Sequence, residues 1–233
     1  MALLLALHGL LPPSAHAALQ DGFYGASTNC TVDVEAVVRG VVEQHVSRLG
    51  DGGSGAGLIR LHFHDCFVKV PTASLPPPFA RLDDLVRAFA AKGFGIDELV
   101  ALSGAHSIGR AHCSSFRDRI HPAVHETMDP SYGTDMRARC PEDAGAEEWV
   151  AQDQATSGDL DGRYFENVLA GRVPFSSDRA LIDDGETRRM VEDNAGDQGG
   201  WAAKFAAAMR KMSELAGTGE GEIREFCHVT NRG

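Results

Sequence analysis

The chain has 233 residues, 43% hydrophobic and 24% charged, ordinary for a folded globular protein and enough for one substantial domain or two small ones. Its formal net charge of -11 offers no basic field to collect phosphates, which argues against nucleic acid as a partner. The same acidity suits hard cations such as calcium without establishing one.

The chain opens with "MALLLALHGLLPPSAHA", an apolar run from Leu3 to Leu11 followed by small residues at Ala15 and Ala17. This predicts a secretory signal peptide over residues 1–17 and a domain over residues 18–233, although no Lys or Arg precedes the run. A buried N-terminal helix is the alternative reading; the run is too short to span a bilayer. Secretion implies an oxidising compartment where cysteines pair. Cys30, Cys66, Cys113, Cys140 and Cys227 are odd in number, so at least one thiol is left over. "NCT" at 29–31 is an N-glycosylation sequon if the chain is secreted.

Helical patterns dominate the chain beyond residue 31. Residues 32–48 set Val34, Val37, Val38, Val41 and Val42 along one stripe, with Thr31 or Asp33 as the cap and Gly50 as the stop. "DGGSG" at 51–55 reads as a turn, and the proline-rich "PTASLPPPF" at 71–79 cannot be helix interior. "ARLDDLVRAFAAKG" reads as a helix closed by Gly93. "IDELVALSGAHSIG" reads as a helix capped by Asp97 that carries His106 near its end. Residues 120–150, with Pro122, Pro130, Gly133 and Pro141, read as irregular. "DGRYFENVLAG", "GETRRMVEDNAG" and "GWAAKFAAAMRKMSEL" are three more helices. Period-two strands are scarce and no internal repeat is found, so the expected class is mostly α, in one domain or two closely packed lobes.

The densest chemistry lies in "RLHFHDCF" at 60–67. On a helix, Arg60 and His64 share a face and His62 points nearly the opposite way. A cation beside an imidazole suits a base that takes a proton while the charge steadies an anion. The residues alone leave other readings open: a core histidine among Leu58, Ile59, Leu61, Phe63 and Phe67, a metal-dependent hydrolase using His62, His64 and Asp65, and a cysteine hydrolase built on Cys66.

Two stretches in register carry a family resemblance. "GAGLIRLHFHDCFV" at 55–68 resembles the distal haem helix of the secreted plant (class III) peroxidases, and "DELVALSGAHSIGRAHC" at 97–113 resembles their proximal haem helix. "LQDGFYGASTNC", "LPPPF", "DQATSGDLDGRYFENVLAGRVPFSSDRALI" and the C-terminal "WAAKFAAAMRKMSELAGTGEGEIREFC" extend the likeness over most of the chain after residue 17. One departure is large. In the family a long helical stretch separates the distal motif from the "LPPPF"-like segment, whereas here "FVKV" leads straight to "PTASLPPPF", so a central block is missing around residues 69–72.

The resemblance implies a haem-peroxidase-like helical fold and a peroxidase that oxidises small phenolic-type donors with hydrogen peroxide. It implies a role in hydrogen peroxide catabolism and the response to oxidative stress. The expected cofactors are haem b and calcium, and the expected form is a secreted monomer outside the cell, in the wall or in a vacuole. His106 matches the axial iron ligand and Asp178 the carboxylate that orients it. His64 matches the distal base and Arg60 its partner. Phe63 matches an aromatic that restricts access, and Pro76 a residue lining the donor site. Ser107, Asp153, Thr156 and Asp161, with the Asp159 carbonyl, match a proximal calcium site. Asp65 and the Val68 carbonyl are what remains of a distal calcium site, which is expected to be lost or weak. Cys113 and Cys140 match one disulfide with both partners present, whereas Cys30, Cys66 and Cys227 match positions whose partners lie in the missing block. The asparagine that orients the distal histidine in the family lies there too, so impaired turnover, or haem binding without turnover, is the alternative outcome.

Overall fold

The computed structural model describes residues 32–49, 53–67 and 75–215. The predicted signal peptide, the sequon, Cys30, Val68, the junction around 69–72 and Cys227 lie outside them. The described residues form ten α-helices and one two-stranded ribbon, the mostly α class expected. No helix among them is long and apolar enough to cross a membrane.

Helix α1 (Val34–Leu49) is capped by Asp33, whose Oδ1 accepts from Ala36 N at 2.9 Å. Its valine stripe is not a core face: Val37, Val38 and Val41 keep 52%, 55% and 51% of their surface exposed. Helical periodicity reports that one face is apolar but not what covers it, and among the described residues α1 packs mainly on α2 (Gly53–Cys66). Helix α2 starts inside the stretch read as a turn, at Gly53. Residues 75–81 are non-helical, as the prolines require.

Helix α3 (Leu82–Ala90) ends before Gly93, whose φ of +80° is the left-handed turn that glycine adopts without a Cβ penalty. Helix α4 (Ile96–Ser103) corrects one expectation: its N-cap is Gly95, and Asp97 lies within the first turn. Glu98 Oε2 reaches back to accept from Gly95 N at 2.7 Å, the half of a capping box that needs no side chain on the cap residue. Helix α4 buries Leu99, Val100, Ala101 and Leu102, and the chain then tightens into a 3₁₀ turn over Gly104–Ser107.

The stretch 120–150 is more ordered than expected. After the short α5 (Arg117–Ile120), helix α6 (Pro130–Arg139) begins with Pro130 at its first position, where a missing N–H costs nothing, and Asp129 accepts from Tyr132 N at 2.8 Å. Strands β1 (Arg110–His112) and β2 (Trp149–Ala151) pair antiparallel. The Cys113–Cys140 disulfide ties this ribbon to the end of α6. It closes a small core of Phe116, Ile120, Met128, Met136 and Val150.

The larger core is built by α4, α7 (Arg163–Leu169), α9 (Gly185–Gly196) and α10 (Gln198–Ser213), with α8 (Ser176–Ala180) at its margin. Asp184 caps α9 and Asp197 caps α10. Trp201, 2% exposed, locks α10 to α4: its Nε1 donates to Ala101 O at 3.0 Å. Its ring lies so close over Gly104 that a Cβ there would sit 2.7 Å from it. This close approach sets the direction in which the turn carrying His106 leaves α4.

Candidate functional site

His106 sits on the 3₁₀ turn rather than on α4 itself. Its Nδ1 lies 2.8 Å from Asp178 Oδ1, and Tyr164 on α7 donates its hydroxyl to the same oxygen at 2.8 Å. Asp178 lies in the first turn of α8, after the cap position, and is 3% exposed on its side chain. Its Oδ2 has no hydrogen-bond partner among the described residues. Because the carboxylate can only accept, the imidazole presents Nδ1–H to it and keeps a lone pair on Nε2. Burial works against a charged imidazole, but the Asp178 charge and hydrogen bond outweigh it and hold the His106 pKa above its ordinary value. Burial, then the Asp178 charge, push the Tyr164 phenol well above its usual range, so it stays a donor.

The His106 side chain nevertheless keeps 42% of its surface exposed, because it borders a cavity of about 1170 Å³. Phe175 stands edge-on to its ring at 5.5 Å between centroids. Helix α2 supplies another wall with Ile59, Arg60 and Phe63, the proline-rich segment adds Pro76, and Asp178 reaches the lining. The structure therefore brings His106, Asp178, Arg60, Phe63 and Pro76 around one space.

His64 is not among the residues that line it. It is exposed, beside the edge of Phe63 at 6.1 Å between ring centroids, and Asp65 is exposed as well. His62 points the other way, as helical phase requires: its Nε2 lies 3.1 Å from Met209 O and 3.2 Å from Ser213 Oγ on α10. His62 thus ties α2 to α10. Among the described residues no three His, Cys, Asp or Glu side chains are placed to share a metal, which leaves the hydrolase reading without a ligand set. Cys66 is half-buried, its Sγ 3.9 Å from His62 Nδ1.

The proximal loop gathers oxygen donors of other kinds. Thr156 Oγ1 lies 3.5 Å from Asp153 Oδ2 and 3.2 Å from Asp161 Oδ1, and Asp161 N donates to Ser107 Oγ at 3.3 Å. Asp159, one of the candidates, is exposed, and its N–H donates to Thr156 O at 3.0 Å. Asp153 is 2% exposed and also accepts from Asn167 Nδ2 at 2.9 Å. Burial raises its pKa and the nearby Asp161 charge adds to this, against the opposing hydrogen bonds from Ala155 N, Thr156 N and Asn167.

Tyr164 and Asn167 belong to these sites, and sequence reasoning does not find them. Their i, i+3 spacing in "RYFENVL" marks one helix face, but nothing local says that this face meets two aspartates from different loops. The ribbon residues Arg110 and Trp149 also line the cavity, and no local pattern marks them.

The family model described as peroxidase matches residues 69–197. Peroxidase 2 of Zea mays is 42% identical over 162 residues, covering 67% of this chain and 48% of the relative. Peroxidase 5 of Vitis vinifera is 39% identical, covering 69% of this chain and 51% of the relative. The chain thus spans about half the length of these two relatives. Peroxidase 1 of Zea mays is 30% identical over 319 aligned positions, covering 95% of this chain and 86% of the relative. That alignment is longer than the 233-residue chain, so it holds positions that only the relative fills. By the family match, these relatives and the helical fold, the chain belongs to the plant (class III) haem peroxidase family.

Proposed function

We propose that the chain is a haem peroxidase that reduces hydrogen peroxide and oxidises small phenolic-type donors in one-electron steps, with haem b as its cofactor. The observation that carries this reading is the His106–Asp178 pair opening onto the large cavity. A flat macrocycle fits an apolar slot, and Ile59, Phe63, Phe89, Leu102 and Phe175 border this one. The ligand chemistry fits too, since an Nδ1–H committed to Asp178 leaves Nε2 for a metal. Bound haem supplies the redox-active iron at which the peroxide O–O bond is broken.

In this reading His106 holds the iron, Asp178 fixes its tautomer and raises its basicity, and Tyr164 holds Asp178. Arg60 steadies the negative charge that develops on peroxide oxygen. His64 takes the proton from one peroxide oxygen and returns it to the other, and Phe63 and Pro76 shape the donor's approach. The outward position of His64 supports a second reading: turnover is impaired, because α2 must roll before the imidazole reaches the cavity. Ser107, Asp153, Thr156 and Asp161 hold a calcium ion next to the His106 turn, with the Asp159 carbonyl as an addition. The distal calcium site, from which Asp65 survives, is weak or lost. The leader over residues 1–17 sends the chain to the secretory route, for peroxide removal outside the cell or in a vacuole, as a monomer.

Expression from residue 18, refolding with haem and calcium, and an absorption spectrum followed by a peroxide assay test the proposal. A Soret band with donor oxidation is expected. A Soret band without turnover selects the haem-binding alternative, and no haem uptake ends both.

A further inference from the structure

The β1–β2 ribbon has two unlike faces. Ala111 and Val150 are buried in the small core, whereas Arg110, His112 and Trp149 are exposed and line the cavity. The register sets His112 directly across from Trp149 and Arg110 on the diagonal, near enough for long side chains to meet. They do: the Arg110 guanidinium lies 3.8 Å over the Trp149 ring.

That stack holds the guanidinium without neutralising it, and no carboxylate pairs with Arg110 among the described residues. It uses the flat face of the group and leaves the in-plane N–H donors open, the edge that recognises carboxylates in a bidentate fashion. Trp149 itself keeps 47% of its surface exposed. Arg60 faces the same cavity from α2; among the described residues the lining holds two acids, Asp178, committed to His106 and Tyr164, and Glu147. In a chain of net charge -11 this wall is a local excess of basic groups. An overall negative field repels anions at long range but is screened within about 10 Å at ordinary salt, so a wall of this kind decides at contact distance.

We infer that the ribbon face is a subsite for aromatic donors that carry a carboxylate. The carboxylate takes the open donors of Arg110, and the ring lies against the exposed indole surface of Trp149. The subsite rests on the ribbon alone for binding, and on the peroxidase reading for the subsequent oxidation.

Benzoate and its neutral counterpart benzyl alcohol are the probes, added to the full chain while Trp149 emission is followed. A Trp149→Phe variant isolates that signal from the buried Trp201, which is 2% exposed. Benzoate shifts the emission saturably, and benzyl alcohol at the same concentration does not. Arg110→Gln weakens benzoate binding by about tenfold, as expected for loss of a charged hydrogen-bonded pair, with an unaltered far-UV spectrum. Arg110→Lys, which keeps the charge but not the fork, falls between. In the haem-loaded chain, Arg110→Gln lowers the ratio of kcat/KM for 4-hydroxycinnamate over its methyl ester by a similar factor. Equal responses to the two probes, or wild-type benzoate binding in Arg110→Gln, overturn the inference. Saturable benzoate binding in a chain that takes up no haem supports the subsite and removes the peroxidase reading. Turnover with no preference for the acid leaves that reading in place and removes the subsite.

Discussion

Asp178 Oδ1 lies 2.8 Å from His106 Nδ1, although 72 residues separate the two in the chain. Both are placed by tight local turns, the 3₁₀ turn after α4 and the first turn of α8, so the pair is positioned by backbone rather than by long flexible side chains. A carboxylate so buried, shared between an imidazole and the Tyr164 hydroxyl, has little freedom to turn away.

The first expected outcome concerns this pair. Asp178→Asn keeps the shape but removes the charge. Haem uptake persists, the iron–histidine stretching frequency falls, and the peroxide step slows by roughly 10–100-fold, the usual effect of losing such a partner. Resonance Raman spectroscopy and stopped-flow mixing measure the two. An unchanged stretching frequency separates Asp178 from the iron ligand.

His106→Ala abolishes iron ligation. His112, the nearest other histidine along the chain, lies on β1 beyond the turn, with its side chain on the ribbon face. A haem spectrum identical to that of the unaltered chain contradicts the axial assignment.

The proposed calcium site carries an expected pH-dependent stabilisation. Burial raises the folded-state pKa of Asp153 above its unfolded value, so without metal this group contributes stability at low pH that is lost as pH rises through the folded pKa. Calcium binds the deprotonated carboxylate and reverses that trend. The gain in Tm on adding calcium is therefore largest near neutral pH and shrinks on acidification through the carboxylate range. At a hundredfold excess over Kd the gain corresponds to about 2.7 kcal/mol. Calorimetry with calcium or a chelator at two pH values decides it, and an equal gain at both contradicts the Asp153 assignment.

Replacing Cys113 and Cys140 together by serine destabilises the chain by roughly 3.5 kcal/mol, the chain-entropy value for a loop of this length. The sequence separation is 27 residues, and the loop carries α5 and α6, so the loss falls first on the small core behind the ribbon. Urea titration of the pair of chains gives the difference. A value near zero shows that this core holds together without the crosslink.

On the proposed peroxidase reading, the expected outcome is a slow peroxide step with donor oxidation less affected. Arg60 lines the cavity but His64 does not, and displacement of a catalytic group by about 1 Å can cost on the order of a hundredfold. Rapid mixing with peroxide measures the step directly. A rate equal to that of a relative possessing the central block shows that α2 recovers its working position once haem is bound.

Much of the fold is legible in the residues. Apolar periodicity places most of the helices, because burying one face is a local property of spacing; it places α9 and α10 closely, and Asp184 and Asp197 cap both. Proline and glycine mislead as breakers in α6, where Pro130 occupies the one helical position that tolerates it. The cap of α4 escapes the sequence because a glycine cap carries no side-chain signal and Glu98 satisfies the open amide from inside the helix.

The sequence by itself determined the mostly α class, the family likeness and the residue types needed at each candidate position, since these depend on order and spacing along one chain. Tertiary structure alone decided which of them meet. It joined His106 to Asp178 and Tyr164, gathered Asp153, Thr156, Asp161 and Ser107, and set Arg110 on Trp149 across two strands. It also left His64 and the α1 valines facing outward. Helical phase says which residues share a face, but the direction of that face depends on how helices from distant parts of the chain pack together.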